Sequence, residues 1–314
     1  MTKPDDSSLD PSDRRAVEQR ARQLLDRASA WEVFPTPIDD ILAAAKLKLA
    51  PTSIFDAQAI IEYLSNKTAD TAKWIKSAVT KILGVYDGLD HIIHIDGKAH
   101  PKKQTFLKLH ETGHHELPTH RKVFRFFQDC EQTLDPEIAD QFEREANNFA
   151  RYALFQGDTF ARYAADCKLE IKTPMALAKK FGASVYASCR EYVRTNHRDC
   201  VVYILEPIKL VAGHGAQASV RRIEPSPSFR AKFGEPKDTV ITLDHLLGPV
   251  LPINRKMTKP RAVTIKDRNG DKHECLAEAF DTTYTVIILL YPVKALTASK
   301  IILPPDFKMP VAAK

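Results

Sequence analysis

His110 and His114 stand four positions apart with Glu111 between them, in the run His110-Glu111-Thr112-Gly113-His114. No other pattern restricts the chain's folding as much, because the pair is useful only on a helix, where residues i and i+4 share a face one turn apart. The flanking sequence supplies that helix. Pro101 opens the segment KKQTFLKLHETGHHEL, Phe106, Leu107 and Leu109 give it apolar surface just upstream of the motif, and Pro118 stops it. On such a face two imidazoles can direct their nitrogens at one ion about 2 Å from each. Glu111 projects beside them without needing to ligate, and can take a proton from a water as that water attacks a carbonyl. The H-E-x-x-H spacing thus points to metal-assisted hydrolysis. The plain alternative is a solvated helix with clustered histidines, since His115 and His120 are also near.

A catalytic zinc takes three protein ligands and keeps one position open, so the two histidines call for a third donor, most economically a carboxylate on a facing helix. The sequence marks such a helix clearly. Asp135 stands at its cap, Pro136 at its first position, Glu137 at the positive end of its dipole, and Gly157 after its last turn. Within it Glu143, Asn147 and Ala150 share one face, and Phe142, Glu145 and Phe149 another. Glu143 is the preferred ligand, because Asn147 one turn later can hydrogen-bond a ligating histidine from behind; Glu145 is the reserve. Zinc is the expected ion because sites of two histidines and a glutamate generally hold it. Tyr152, His120 and His197 are each available to stabilise an oxyanion, although a structural role is the simpler reading of each. His214, His245 and His273 read as incidental.

At 314 residues the chain is long enough for two modules. Residues 1–9 read as a disordered leader, followed by a helix from Pro11 with Asp10 as cap and Val17, Ala21, Leu24, Leu25 and Ala28 as its buried stripe. A short helix is expected over Asp39–Lys46, and residues 54–74 mix helix and strand signals. Ile82–Tyr86 and His91–Ile95 flank Asp87-Gly88-Leu89-Asp90, which is hairpin chemistry. The second of these strands is a candidate edge on which an extended substrate could add as a further strand. Pro174–Val193 resembles a helix-turn-helix with Gly182 at its turn. It carries few basic residues and many apolar ones, so packing is its expected role, with weak nucleic-acid contact as the alternative.

Beyond Cys200 the pattern changes to short strands: Val201–Leu205, Val240–Leu243, Ala262–Lys266 and Tyr284–Leu290, with Asn269-Gly270 as a hairpin turn. The expected organisation is a domain over 10–199, including the helix-turn-helix-like segment at 174–193, and a mostly β domain over 200–314 that senses a signal or recruits substrate. The five cysteines are scattered and unpaired in sequence, which excludes a disulfide framework or a cysteine zinc finger. The polar N-terminus is no signal peptide, and the run YTVIILLY is too short to span a bilayer, so a cytoplasmic protein is expected. A net charge of +6 permits acidic partners without demanding them.

The preamble ILGVYDGLDHIIHID, the helix TFLKLHETGHHEL and the later EREANNFA together resemble the ImmA/IrrE family of bacterial metallopeptidases over residues 30–195. The resemblance implies an α+β fold like a reduced thermolysin (gluzincin-type): a small sheet packed on the two metal-bearing helices. It implies that the E-x-E-A-N-x-F-A segment supplies the third zinc ligand, which favours Glu143 and leaves Glu145 open. It also implies a zinc endopeptidase that cleaves helix-turn-helix repressors and so switches on mobile-element or stress-response genes. The chain departs from the family after the motif: in place of an apolar Leu-Met-Pro end it reads Phe149-Ala150-Arg151-Tyr152-Ala153-Leu154-Phe155. A contrasting expectation is a regulatory DNA- or partner-binding protein in which the metal is structural.

Overall fold

The structure is a computed structural model and describes residues 6–50, 84–87, 91–95, 99–120, 136–213 and 215–294. The chain forms two compact units, one of Met1–Thr159 with Lys179–Ser184, the other of Phe160–Ala178 with Val185–Lys314. Helices and an antiparallel C-terminal sheet make the fold α+β.

In the first unit, α1 (Pro11–Arg27) has Pro11 in its first turn and buries Val17, Ala21, Leu24 and Leu25, as their spacing demands. Asp10 occupies the cap position in an extended conformation, but its side chain makes no cap hydrogen bond. The helix α2 (Ile38–Ala44) leads to β1 (Lys48–Leu49). The expected hairpin is present as β2 (Gly84–Asp87) and β3 (Ile92–Ile95), paired antiparallel with Asp87 opposite Ile92. Residues 82 and 83, the loop 88–90 and the ambiguous stretch 54–74 lie outside the described residues. The expectation that His91–Ile95 is an edge is corrected. The parallel pairing of β1 places β3 in the middle of the sheet, in the order β1-β3-β2, so its backbone groups are engaged on both sides.

Two long helices follow among the described residues of this unit: α3 (Pro101–Glu116) and α4 (Pro136–Leu154). They pack on each other, α1 packs on α4, and the small sheet packs on α3. Asp135 lies outside the described residues. At the far end of α4 the backbone turns at Gly157, with φ at 55° and its N–H on the Tyr152 carbonyl. A Cβ there would stand 2.7 Å from the Tyr152 ring, so glycine is needed for space as well as for φ.

The second unit contains α5 (Thr159–Ala165, from Phe160), most of α6 (Lys172–Phe181), α7 (Val185–Arg194) and the large sheet. Its strands are β4 (Val201–Leu205), β5 (Lys209–Val211), β6 (Gly215–Pro225), β7 (Val240–Thr242), β8 (Arg261–Lys266), β9 (Lys272–Asp281) and β10 (Val286–Pro292). Between β6 and β7 lies α8 (Pro227–Phe233), capped by the Ser226 hydroxyl. The order is β5-β6-β4-β10-β9-β8, with β7 on β6, and every pairing is antiparallel.

The apolar run expected to be a buried strand is central β10, buried along its whole length. It starts two residues later than expected. The Thr282 hydroxyl accepts from the Thr285 N–H and bends the chain, which leaves Tyr284 exposed in a turn. At Asn269-Gly270 the Asp267 carboxylate accepts the backbone N–H groups of Asn269 and Asp271, fixing the β8–β9 hairpin.

The helix-turn-helix-like segment is α6 and α7, separated by Gly182 at φ 76°. Ser188 to Val193 on α7 are buried. Its basic residues are tied to β6: Arg190 and Arg194 meet Glu224 at 2.8 and 2.9 Å. Burial pushes the Glu224 carboxyl up, but Arg194 and Arg190 outweigh it and hold the group down to about 2. Cys167, Cys189, Cys200 and Cys275 are free thiols. His245 and His273 pair with Asp238 and Asp267, while His214 lies outside the described residues.

Candidate metal centre

The C-terminal two turns of α3, Leu109 to His115, are buried on every side, and the helix packs on α4. Gly113 makes the approach possible. A Cβ on it would stand 3.1 Å from the Phe149 Cβ and 3.2 Å from the Ala146 Cα, so the two backbones come as close as a missing side chain allows. Glycine within a helix costs about 1 kcal/mol relative to alanine, and this spacing is what offsets it. A glycine in a helix interior is itself a signal of close approach.

That approach brings three donors to one place. The Nε2 atoms of His110 and His114 are 3.2 Å apart. The Glu143 carboxylate reaches both, Oε2 at 3.3 Å from His110 and Oε1 at 3.5 Å from His114. These spacings match the roughly 3.3–3.4 Å edge of a tetrahedron whose bonds are about 2.0–2.1 Å long, the length zinc takes to nitrogen and oxygen. Among the described residues these three alone form such a group of histidine, cysteine and acidic side chains. The donor set therefore fits a divalent ion. The imidazoles are nearly buried, 8% and 7% exposed, whereas Glu143 is 44% exposed, so the cluster opens to solvent on the glutamate side. Glu111, 3% exposed, follows His110 in the same buried stretch, and its charge raises the affinity of that imidazole for a proton.

The supporting hydrogen bonds fix which nitrogen faces the cluster. Asn147 donates its Nδ2–H to the Asp6 carbonyl at 2.8 Å, which turns its Oδ1 toward His110 Nδ1 at 3.0 Å. His110 must then donate from Nδ1 and present Nε2 to the other donors. His114 Nδ1 meets His120 Nδ1 at 3.0 Å. The reserve candidate Glu145 does not join the cluster; its carboxylate meets His120 Nε2 at 2.9 Å and accepts from Gln141 at 2.9 Å. His120 has both ring nitrogens engaged and is wholly buried, so it stands behind His114 and does not face substrate as the oxyanion reading required. Tyr152 is hydrogen-bonded with Arg22, and His197 belongs to the other unit. Sequence spacing did not single out the link between His120 and Glu145, because it joins residues on separate segments.

Charges in the cluster follow from these contacts. Burial disfavours the protonated form of His110, but the Glu143 carboxylate outweighs it and raises the group to about 9. Burial, together with the positive charge on His110, lowers His114 to about 4. Burial pushes Glu143 up, yet its bonds to the two imidazoles hold it well below the usual carboxylate range. Burial also lowers His120, and Glu145 is held low by its hydrogen bond from His120 in spite of its own burial. Without metal, then, a proton on His110 neutralises Glu143. Because the folded value of His110 is raised above the unfolded 6.5, this pairing favours the metal-free fold fully below about 6.5 and fades as pH rises through about 9. Ligation requires His110 to surrender that proton, so zinc uptake near neutral pH is expected to release about one proton. Calorimetric titration in buffers of differing ionisation enthalpy measures this; release of none means that His110 is not protonated in the metal-free protein.

Residues 72–191 match the family model for the M78 peptidases, described as an IrrE N-terminal-like domain. Over that stretch the chain is similar to the M78 peptidase family. The match begins ahead of β2, takes in both long helices with the three donors, and ends within α7. The matched stretch contains the candidate metal triad. No curated protein matches the sequence. Among solved structures, a Mycobacterium tuberculosis transcriptional regulator is similar at 12% identity and a TM-score of 0.49, over 90% of this chain and 77% of that one. No helix among the described residues is long and apolar enough to cross a membrane.

Proposed function

We propose that the protein is a zinc-dependent endopeptidase whose metal is held by His110, His114 and Glu143. The observation that carries this reading is the meeting of three donors at 3.2 to 3.5 Å on a side open to solvent. A zinc ion at such a site acidifies water and polarises the scissile carbonyl. The chain's own residues do the rest. Glu111 accepts a proton from the attacking water and passes it to the departing amine, so that no unstable amide anion has to leave. Asn147 holds His110 in the tautomer that faces the cluster. The two packed helices, with the small sheet on α3, are in this reading a reduced thermolysin-like protease core.

The substrate class follows from the family resemblance: a cytoplasmic helix-turn-helix repressor whose cleavage derepresses stress or mobile-element genes. The module after about residue 200 then senses a signal or recruits that substrate. The reading in which the metal is structural and the chain binds DNA is less favoured. Arg190 and Arg194, two basic residues of the helix-turn-helix-like segment, are held by Glu224. Incubation with purified helix-turn-helix repressors, followed by mass spectrometry of the products, tests the proposal. Cleavage is expected to stop on treatment with a chelator and to return with zinc. Cleavage that is indifferent to chelation would overturn it.

A further inference from the structure

We infer that His120 and Glu145 form a positioning chain behind His114 that sets how tightly the site holds a divalent cation. The inference rests on the reading of His114 as a ligand. If His114 Nε2 gives its lone pair to an ion, the ring of a neutral imidazole must carry its proton on Nδ1. Nδ1 lies 3.0 Å from His120 Nδ1, which must then accept. The remaining nitrogen of a neutral His120, Nε2, carries the second proton and faces the Glu145 carboxylate at 2.9 Å. The other Glu145 oxygen accepts from the Gln141 amide at 2.9 Å, so the carboxylate is itself held in place. With both imidazoles neutral, these contacts among the described residues are satisfied by one direction of protons. It is the direction that leaves His114 Nε2 free for metal.

Packing removes the alternatives. His120 is wholly buried, and its ring stacks on Phe142 with centroids 4.0 Å apart and planes 23° from parallel. It cannot turn toward solvent to find another partner. Ligating histidines commonly give their second N–H directly to a carboxylate or carbonyl. Here a second imidazole is interposed, so that a carboxylate two residues from Glu143 on the same helix polarises His114 without competing with Glu143 for the ion. Neither residue touches substrate; both act through His114.

The test uses the full-length protein with cobalt(II) as probe, whose affinity is read by competition with a chromophoric chelator and whose visible absorption reports the ligand field. Glu145→Gln and His120→Ala are each expected to weaken cobalt binding by about 10- to 100-fold and to shift the absorption bands. His120→Gln, whose amide can both accept and donate, is expected to recover most of the affinity. Thermal melting of the metal-free proteins separates these effects from loss of folding, and Glu145→Gln decides the matter if His120→Ala fails to fold. Wild-type affinity and spectrum in a folded Glu145→Gln variant would overturn the inference. So would a His120→Gln variant that loses as much affinity as His120→Ala, since packing alone would then explain both. A wild-type protein that binds no cobalt removes the metal reading itself, and the chain with it.

Discussion

Glu111→Gln is expected to lower peptide cleavage by about 100- to 10,000-fold, the range by which a positioned general base contributes, while zinc content stays at the wild-type level. The replacement keeps the size and hydrogen-bonding capacity of the side chain but removes its ability to hold a proton. Glu111 is not among the three converging donors, so the ion keeps its ligands. Its near-complete burial makes a shape-preserving change the appropriate one, since truncation would leave a void. Turnover of a repressor substrate and metal content measured on the same preparation check both halves. Full cleavage with zinc bound would mean that another group takes the proton.

Glu143→Ala is expected to lower zinc affinity by more than about 100-fold, beyond what loss of a supporting hydrogen bond produces. The variant removes one of three donors and also the carboxylate that keeps His110 protonated when metal is absent. Proton release on metal uptake should therefore disappear along with the tight binding. Glu145→Ala provides the comparison: its carboxylate lies on His120, so its loss should cost the smaller, supporting amount. The reverse ranking, with Glu145→Ala abolishing binding and Glu143→Ala sparing it, would reassign the third ligand.

Much of the fold could be read ahead because its signals are local. Proline, glycine and apolar spacing marked α1, α3, α4 and the β8–β9 turn, and continuous apolar runs marked β4 and β10. The strand β3 was read correctly as a strand but wrongly as an edge, since β1 reaches it across some forty residues of chain and no local pattern records a parallel partner. The long β6 and the helix α8 were missed for a related reason. Gly215–Pro225 is rich in polar and charged residues, and it becomes a strand by pairing with β4, β5 and β7.

The candidate site divides along the same line. Sequence alone determined that His110 and His114 share a helical face with Glu111 beside them, because the spacing of residues along one helix fixes their common direction. It could also narrow the facing carboxylate to Glu143 or Glu145. Which of the two meets the histidines was decided only in three dimensions, by the angle and closeness of α3 and α4, and that closeness depends on the absent side chain of Gly113. The pairing of His120 with Glu145 was likewise beyond the sequence. A hydrogen bond between separate segments requires both backbones to be in place, and periodicity along either one carries no information about the other.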